Sequence, residues 1–174
     1  MEEGQAAEIM DLINANLPNA YRLLTMGEQE EAARAIYQLV APSTLHLGMT
    51  CSAMASVASK HVRSLLPANP ANGDYYAFRA VNPATNEEVE ADEPGLLWAS
   101  RFLTSACNND DETGWALFTA LAESGNSEYV MDSVINLFLQ TWRILSGTAV
   151  SAVVDSDKGP RNGLVISQPD TEEP

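Results

Sequence analysis

The sequence predicts a mainly α-helical single domain, a helical bundle of about six helices with a small β-hairpin insertion. Three observations predict it. Apolar residues recur at spacings of three and four through most of residues 5–145. The interruptions are helix punctuation: Pro42, Pro94, Gly125 and the loop Pro67–Gly73. Strand-like alternation is confined to one short stretch, Tyr75–Val81 followed by Glu87–Ala91.

The elements follow in order. Gln5–Asn16 places Ile9, Leu12, Ile13 and Leu17 on one helical face, and Pro18 is expected to stop or kink that helix. Asn19 can cap a short continuation, Ala20–Met26, ended by Gly27. Glu28, Glu30 and Glu31 then fill the first turn of a second helix, where the dipole favours anions. Its core face is Ala32, Ala33, Ile36, Leu39 and Val40.

Thr44–Leu66 reads as a long central helix. No acidic residue occurs from Ala41 to Gly73, in a chain with 24 of them. Gly48, Ser52, Ala55 and Ser59 form a stripe of small residues that would let neighbours approach closely. Lys60, His61 and Arg63 crowd its last turns, as the dipole prefers.

The hairpin spans about 75–91, with its turn at Asn82–Asn86. Pro94 starts a helix running to about Cys107, with Leu96, Leu97, Ala99, Phe102, Leu103 and Ala106 as its stripe. Asn108–Glu112 is a turn plus cap. The next helix, Asp111–Glu123, is expected to bury Trp115, Leu117, Phe118 and Leu121. The last, from Asn126 or Ser127, carries a wide apolar stripe, Val130 to Leu145, and is expected to continue weakly past Gly147 to Val154. Residues 1–154 are therefore read as the helical domain. Residues 155–174 are read as a linker, a short apolar island and an acidic tail.

Charge limits function more than any motif. The chain of 174 residues holds 24 acidic and 9 basic residues, a net charge of −15. Such a surface repels nucleic acid and anionic lipid and favours basic partners. No apolar run is long enough to span a membrane. Met1–Glu2–Glu3–Gly4 is the opposite of a signal peptide's basic start, so the expected location is the cytoplasm. The preponderance of Arg over Lys, with abundant Ala, suits a high-GC bacterium or its phage.

Residues able to do chemistry are few and scattered. Cys51 and Cys107 lack C-x-x-C spacing and sit in apolar helical patterns, so buried inert thiols are expected. His46 and His61 lie about 22 Å apart along one helix and cannot share a metal ion. Asn108, Asp110 and Glu112 suggest a calcium loop, but Thr113 and Thr119 stand where its Gly and bidentate Glu belong; capping explains the run. No phosphate-binding glycine loop, nucleophile elbow or zinc-protease motif is present. No catalytic residue, cofactor or metal ligand is assigned, and the chain is expected not to be an enzyme.

Two segments stand out as contact surfaces. Glu87, Glu88, Glu90, Asp92 and Glu93 form an acidic strand end that could meet a basic partner or a divalent ion, with a charged edge that blocks sheet aggregation as the favoured reading. Leu164, Val165 and Ile166 form an apolar island expected to dock, as a third strand on the hairpin or into a partner subunit. The expected function is a non-enzymatic acidic interaction protein: a regulator, adaptor, inhibitor, or phage accessory or structural component. Its partner would be a protein with a basic surface; a homo-oligomer is the other arrangement. Direct nucleic-acid or membrane binding is not expected. The alternatives are a DNA-mimic inhibitor, and a helical small-molecule binder or enzyme with an unrecognised site. A deep pocket with convergent polar groups would favour the last.

Overall fold

The computed structural model describes residues 3–66, 74–79, 93–147, 151–155 and 163–164. Six helices dominate: α1 (Glu3–Thr25), α2 (Gln29–Val40), α3 (Thr44–Leu65), α4 (Pro94–Asn108), α5 (Asp111–Glu123) and α6 (Ser127–Ser146). The mainly α bundle expected from periodicity is the observed class. Among the described residues three short strands accompany it: β1 (Tyr75–Arg79), β2 (Ser151–Asp155) and β3 (Gly163–Leu164).

Helix α1 continues through Pro18, where the sequence suggests a stop or a kink; it does not stop there. Ile9, Ile13, Leu17, Ala20 and Leu24 are all buried and continue one stripe across the proline. Burying each large apolar side chain contributes about 1.5–3 kcal/mol, which together exceeds the roughly 3 kcal/mol cost of an interior proline. Gly27 ends the helix at φ 82°, with Glu28 N–H donating to the Leu23 carbonyl and Gly27 N–H to that of Leu24.

The α1–α2 hairpin packs on one side of α3, and α4 and α6 pack on another. The most extensive helix–helix contact is α4 against α6. Gly95 makes it possible: a Cβ there would lie 3.0 Å from the Asp132 backbone carbon and 3.1 Å from Ser133 N. The core draws on all six helices, with Ile13, Ile36, Met54, Leu103, Leu121 and Leu137 fully buried.

Among the described residues three helices are capped by side chains, two of them where the sequence suggests, at Asp110 and Asn126. Ser43 accepts from His46 N–H, Asp110 from Thr113 N–H and Asn126 from Tyr129 N–H. Asn109 adopts φ 55° between α4 and α5, and the next N–H, of Asp110, donates to the Ser105 carbonyl. An asparagine tolerates this left-handed position better than most residues.

Beyond Gly147 the chain leaves the helix, contrary to the expected continuation: Gly147 turns at φ 71° and Ser151–Asp155 forms β2. Adjacent Val153 and Val154 favour a strand over a frayed helix end. The sheet order is β1-β2-β3, antiparallel throughout, with Tyr75 opposite Asp155 and Ala152 opposite Leu164. The other edge of β1 is met by α4. Tyr76 N–H donates to Asn108 Oδ1 at 2.9 Å, and Asn108 Nδ2 donates to the Tyr76 carbonyl at 2.8 Å. Phe78 N–H donates to Thr104 Oγ1 at 3.4 Å, and Tyr76 Oη to the Leu66 carbonyl at 2.6 Å. The expected return strand of the hairpin, 87–91, lies outside the described residues.

Candidate functional site

A cleft of about 730 Å³ lies between α3 and α5. Its long wall is α3, from Thr44 to Arg63, and its floor is α4 at Phe102, Ser105 and Ala106. Met10 of α1 borders it, and α5 supplies Gly114, Trp115 and Phe118. The lining is mainly carbon, with serine hydroxyls, Thr44, Arg63, Asn109, Asp110 and Asp111 as its polar groups.

Local sequence explains the shape. The small residues of α3 leave its wall low. Gly48 admits the tip of Phe118, whose Cζ lies 2.9 Å from where a Cβ would stand. Ala55 and Ser59 are buried, whereas Ser52 and Ser56 face open space. So the stripe expected to admit close neighbours does so at Gly48 and opens on the cleft at Ser52. Gly114 lets α5 lie low over α4, with Ser105 Oγ 3.1 Å from its absent Cβ.

Trp115 overturns an expectation. The sequence pattern places it in the core, yet it is 69% exposed, at the rim of the cleft. The α5 helix buries only one narrow face, through Phe118 and Leu121, and Trp115 lies off that face. Its ring sits 5.8 Å from that of Phe118, tilted by 40°. The other two tryptophans are anchors: Trp98 Nε1 donates to the Leu117 carbonyl and Trp142 Nε1 to Thr25 Oγ1.

At the far end Arg63 donates from Nη1 to Asn109 Oδ1, tying the end of α3 to the α4–α5 corner. The hydrogen bonds from the Thr113 side chain and backbone hold the Asp110 carboxyl below the usual range, so it is ionised at neutral pH.

The remaining candidates fall elsewhere. Cys51 and Cys107 are free and buried; burial pushes each thiol up to about 12, with Arg63 pulling Cys107 the other way. His46 Nδ1 pairs with Ser43 Oγ at 2.9 Å. Among the described residues no three His, Cys, Asp or Glu side chains gather where an ion could be held. Glu93 receives a hydrogen bond from Asn136 Nδ2 at 3.4 Å and flanks α4. Glu87, Glu88, Glu90 and Asp92 lie outside the described residues. Of the tail island, Leu164 pairs with Ala152 in the sheet, while Val165 and Ile166 lie outside the described residues. No described helix is long and apolar enough to cross a membrane.

No protein-family model, no curated protein and no solved structure matches the chain.

Proposed function

We propose that this is a non-enzymatic interaction protein whose working surface is the α3–α5 cleft, and that its partner is a protein with an apolar segment and a basic surface. The observation that carries the reading is the cleft itself: an open, carbon-lined concavity with an exposed tryptophan at its rim, in a chain of net charge −15. Exposed aromatic residues beside apolar concavities are where binding energy concentrates in protein interfaces. The polar lining is four serines, Thr44, Arg63 paired with Asn109, and the carboxylates of Asp110 and Asp111, of which Asp110 is taken up in capping its own helix; no histidine or thiol lines the cleft to act beside a serine as base or nucleophile.

A regulator, adaptor, inhibitor or phage accessory or structural component of a cytoplasmic assembly fits this surface, as does the acidic segment 87–93. The DNA-mimic alternative gains less support, because the described working surface is apolar rather than a row of carboxylates. The test is co-purification of tagged protein from its host, as wild type and as Ser52→Trp, which fills the cleft from an exposed position. The partner should be lost from a variant whose circular dichroism and melting are unchanged. A partner retained in full by Ser52→Trp would remove the cleft from its function.

A further inference from the structure

We infer that the cleft receives one amphipathic α-helix of a partner protein, lying along α3, with an arginine or lysine of that helix held between Asp111 and Trp115. The inference rests on the cleft being a protein-docking surface and adds the occupant's form and charge.

Form follows from the walls. From Thr44 to Arg63 the wall of α3 is about 29 Å long at 1.5 Å per residue, the length of a partner helix of about 19 residues. Leu45, Met49, Ser52 and Ser56 recur at spacings of four, three and four, line the cleft and are partly or fully exposed, so they make one accessible ridge down that wall, low at its two serines. A low ridge beside an open channel lets a second helix axis come to the usual packing distance. An extended peptide gains its affinity from unpaired backbone groups at a sheet edge. The walls here are helices, whose backbone groups bond to one another along their length, so they offer an extended chain little.

Charge sets the rest. The α3 wall has no acidic residue, and its one lining cation, Arg63, is engaged by Asn109. The α5 side carries Asp110, ionised and bound to its own helix, and Asp111 at the rim. Asp111 and Trp115 are four residues apart on α5, so carboxylate and indole share one face. A guanidinium or ammonium entering there meets a negative oxygen and an aromatic ring together. The same charge argues against a second copy of this chain as occupant, because two chains at −15 would repel.

Two designed peptides of about 18 residues test this, alike in a Leu/Ala face but with two arginines or two glutamates at the end. Binding is followed by calorimetry and by tryptophan emission, with Trp115→Phe showing which indole responds. The arginine peptide should bind about tenfold or more tighter than the glutamate peptide, the scale of one charge-assisted hydrogen bond. Asp111→Lys should abolish that preference, and Ser52→Trp should abolish binding. Equal affinity for the two peptides would overturn the charge assignment while leaving a groove for apolar helices. Arginine-peptide binding that survives Ser52→Trp, or leaves Trp115 emission unchanged, would overturn the location. If neither peptide binds while dodecylammonium alone does, the helix is wrong and the docking reading falls with it.

Discussion

The α4–α6 contact and the α3–α5 cleft are built from the same kind of residue with opposite results. At Gly95 the nearest atoms facing the missing side chain are backbone, the Asp132 carbonyl carbon and the Ser133 nitrogen, with the Asp132 Cβ beside them, so the two helices meet backbone to backbone. At Gly48 and Gly114 they are side-chain tips, Phe118 Cζ and Ser105 Oγ, and beyond those tips the helices part. A glycine or serine in a helix is therefore permission for close approach, and the opposite element decides whether it is used. On α6 a buried Ser133 meets α4, whereas on α5 an outward Trp115 leaves the space before Ser52 unfilled.

The largest effect should come from breaking the closed contact. Gly95→Val should cost about 1–3 kcal/mol or more, because backbone cannot retreat as a side-chain tip can. Ser52→Val, facing the open cleft, should stay within about 0.5 kcal/mol of wild type. Equal losses in urea melts would mean that the cleft is as tightly packed as the α4–α6 face.

The thiols test how deep the cleft reaches. Cys51 and Cys107 should resist a thiol reagent at pH 8 until the protein unfolds; prompt reaction of either would show that the cleft opens into the core. Their raised values also give a sign. The protonated thiols' contribution is complete below the unfolded value of about 8.5 and is lost as pH rises towards about 12. Thermal stability should fall across that alkaline window, and less steeply in Cys51→Ala once its own cavity cost is subtracted.

Asp110 caps the helix that carries the rim. Asp110→Ala should lower the melting temperature, and Asp110→Asn should restore most of it, since asparagine caps as well. Because the folded carboxyl is held low, its contribution is present above the ordinary value of about 3.9 and disappears as pH falls through the folded one. The Asn variant should lose that part of the acid dependence.

The smallest expected change is a gain. Thr50 Oγ1 is buried with no hydrogen-bond partner among the described residues. Thr50→Val removes that polar group at nearly constant shape and should stabilise by several tenths up to about 1 kcal/mol. A loss would mean that the hydroxyl is satisfied by water.

What was legible in the sequence was local. Asp110 and Asn126 announce helix starts through a side-chain oxygen placed before an apolar stripe, and Gly27 announces an end, whereas the end at Gly147 runs against the expected continuation. Pro18 misled because a missing N–H is a local cost, while the stripe from Ile9 to Leu24 is a tertiary gain. Trp115 misled because size suggests burial, whereas the narrow buried face of α5 has no place for it. The strand β2 was hidden behind helix continuation, and its partner β1 lies far upstream. The cleft was not legible as a cavity, since it depends on how far apart α3 and α5 are held by α4. Its one sequence trace was the acid-free run of small residues along α3, which was read as packing alone.

Photo-cross-linking in the host tests the comparison most directly. A photoreactive residue at Ser56, in the cleft, is compared with one at Glu31, exposed on α2. Ser56 should capture one protein through a basic, helix-forming segment, and Glu31 should not. Capture from Glu31 alone, or equal capture from both, would place the working surface elsewhere on the molecule.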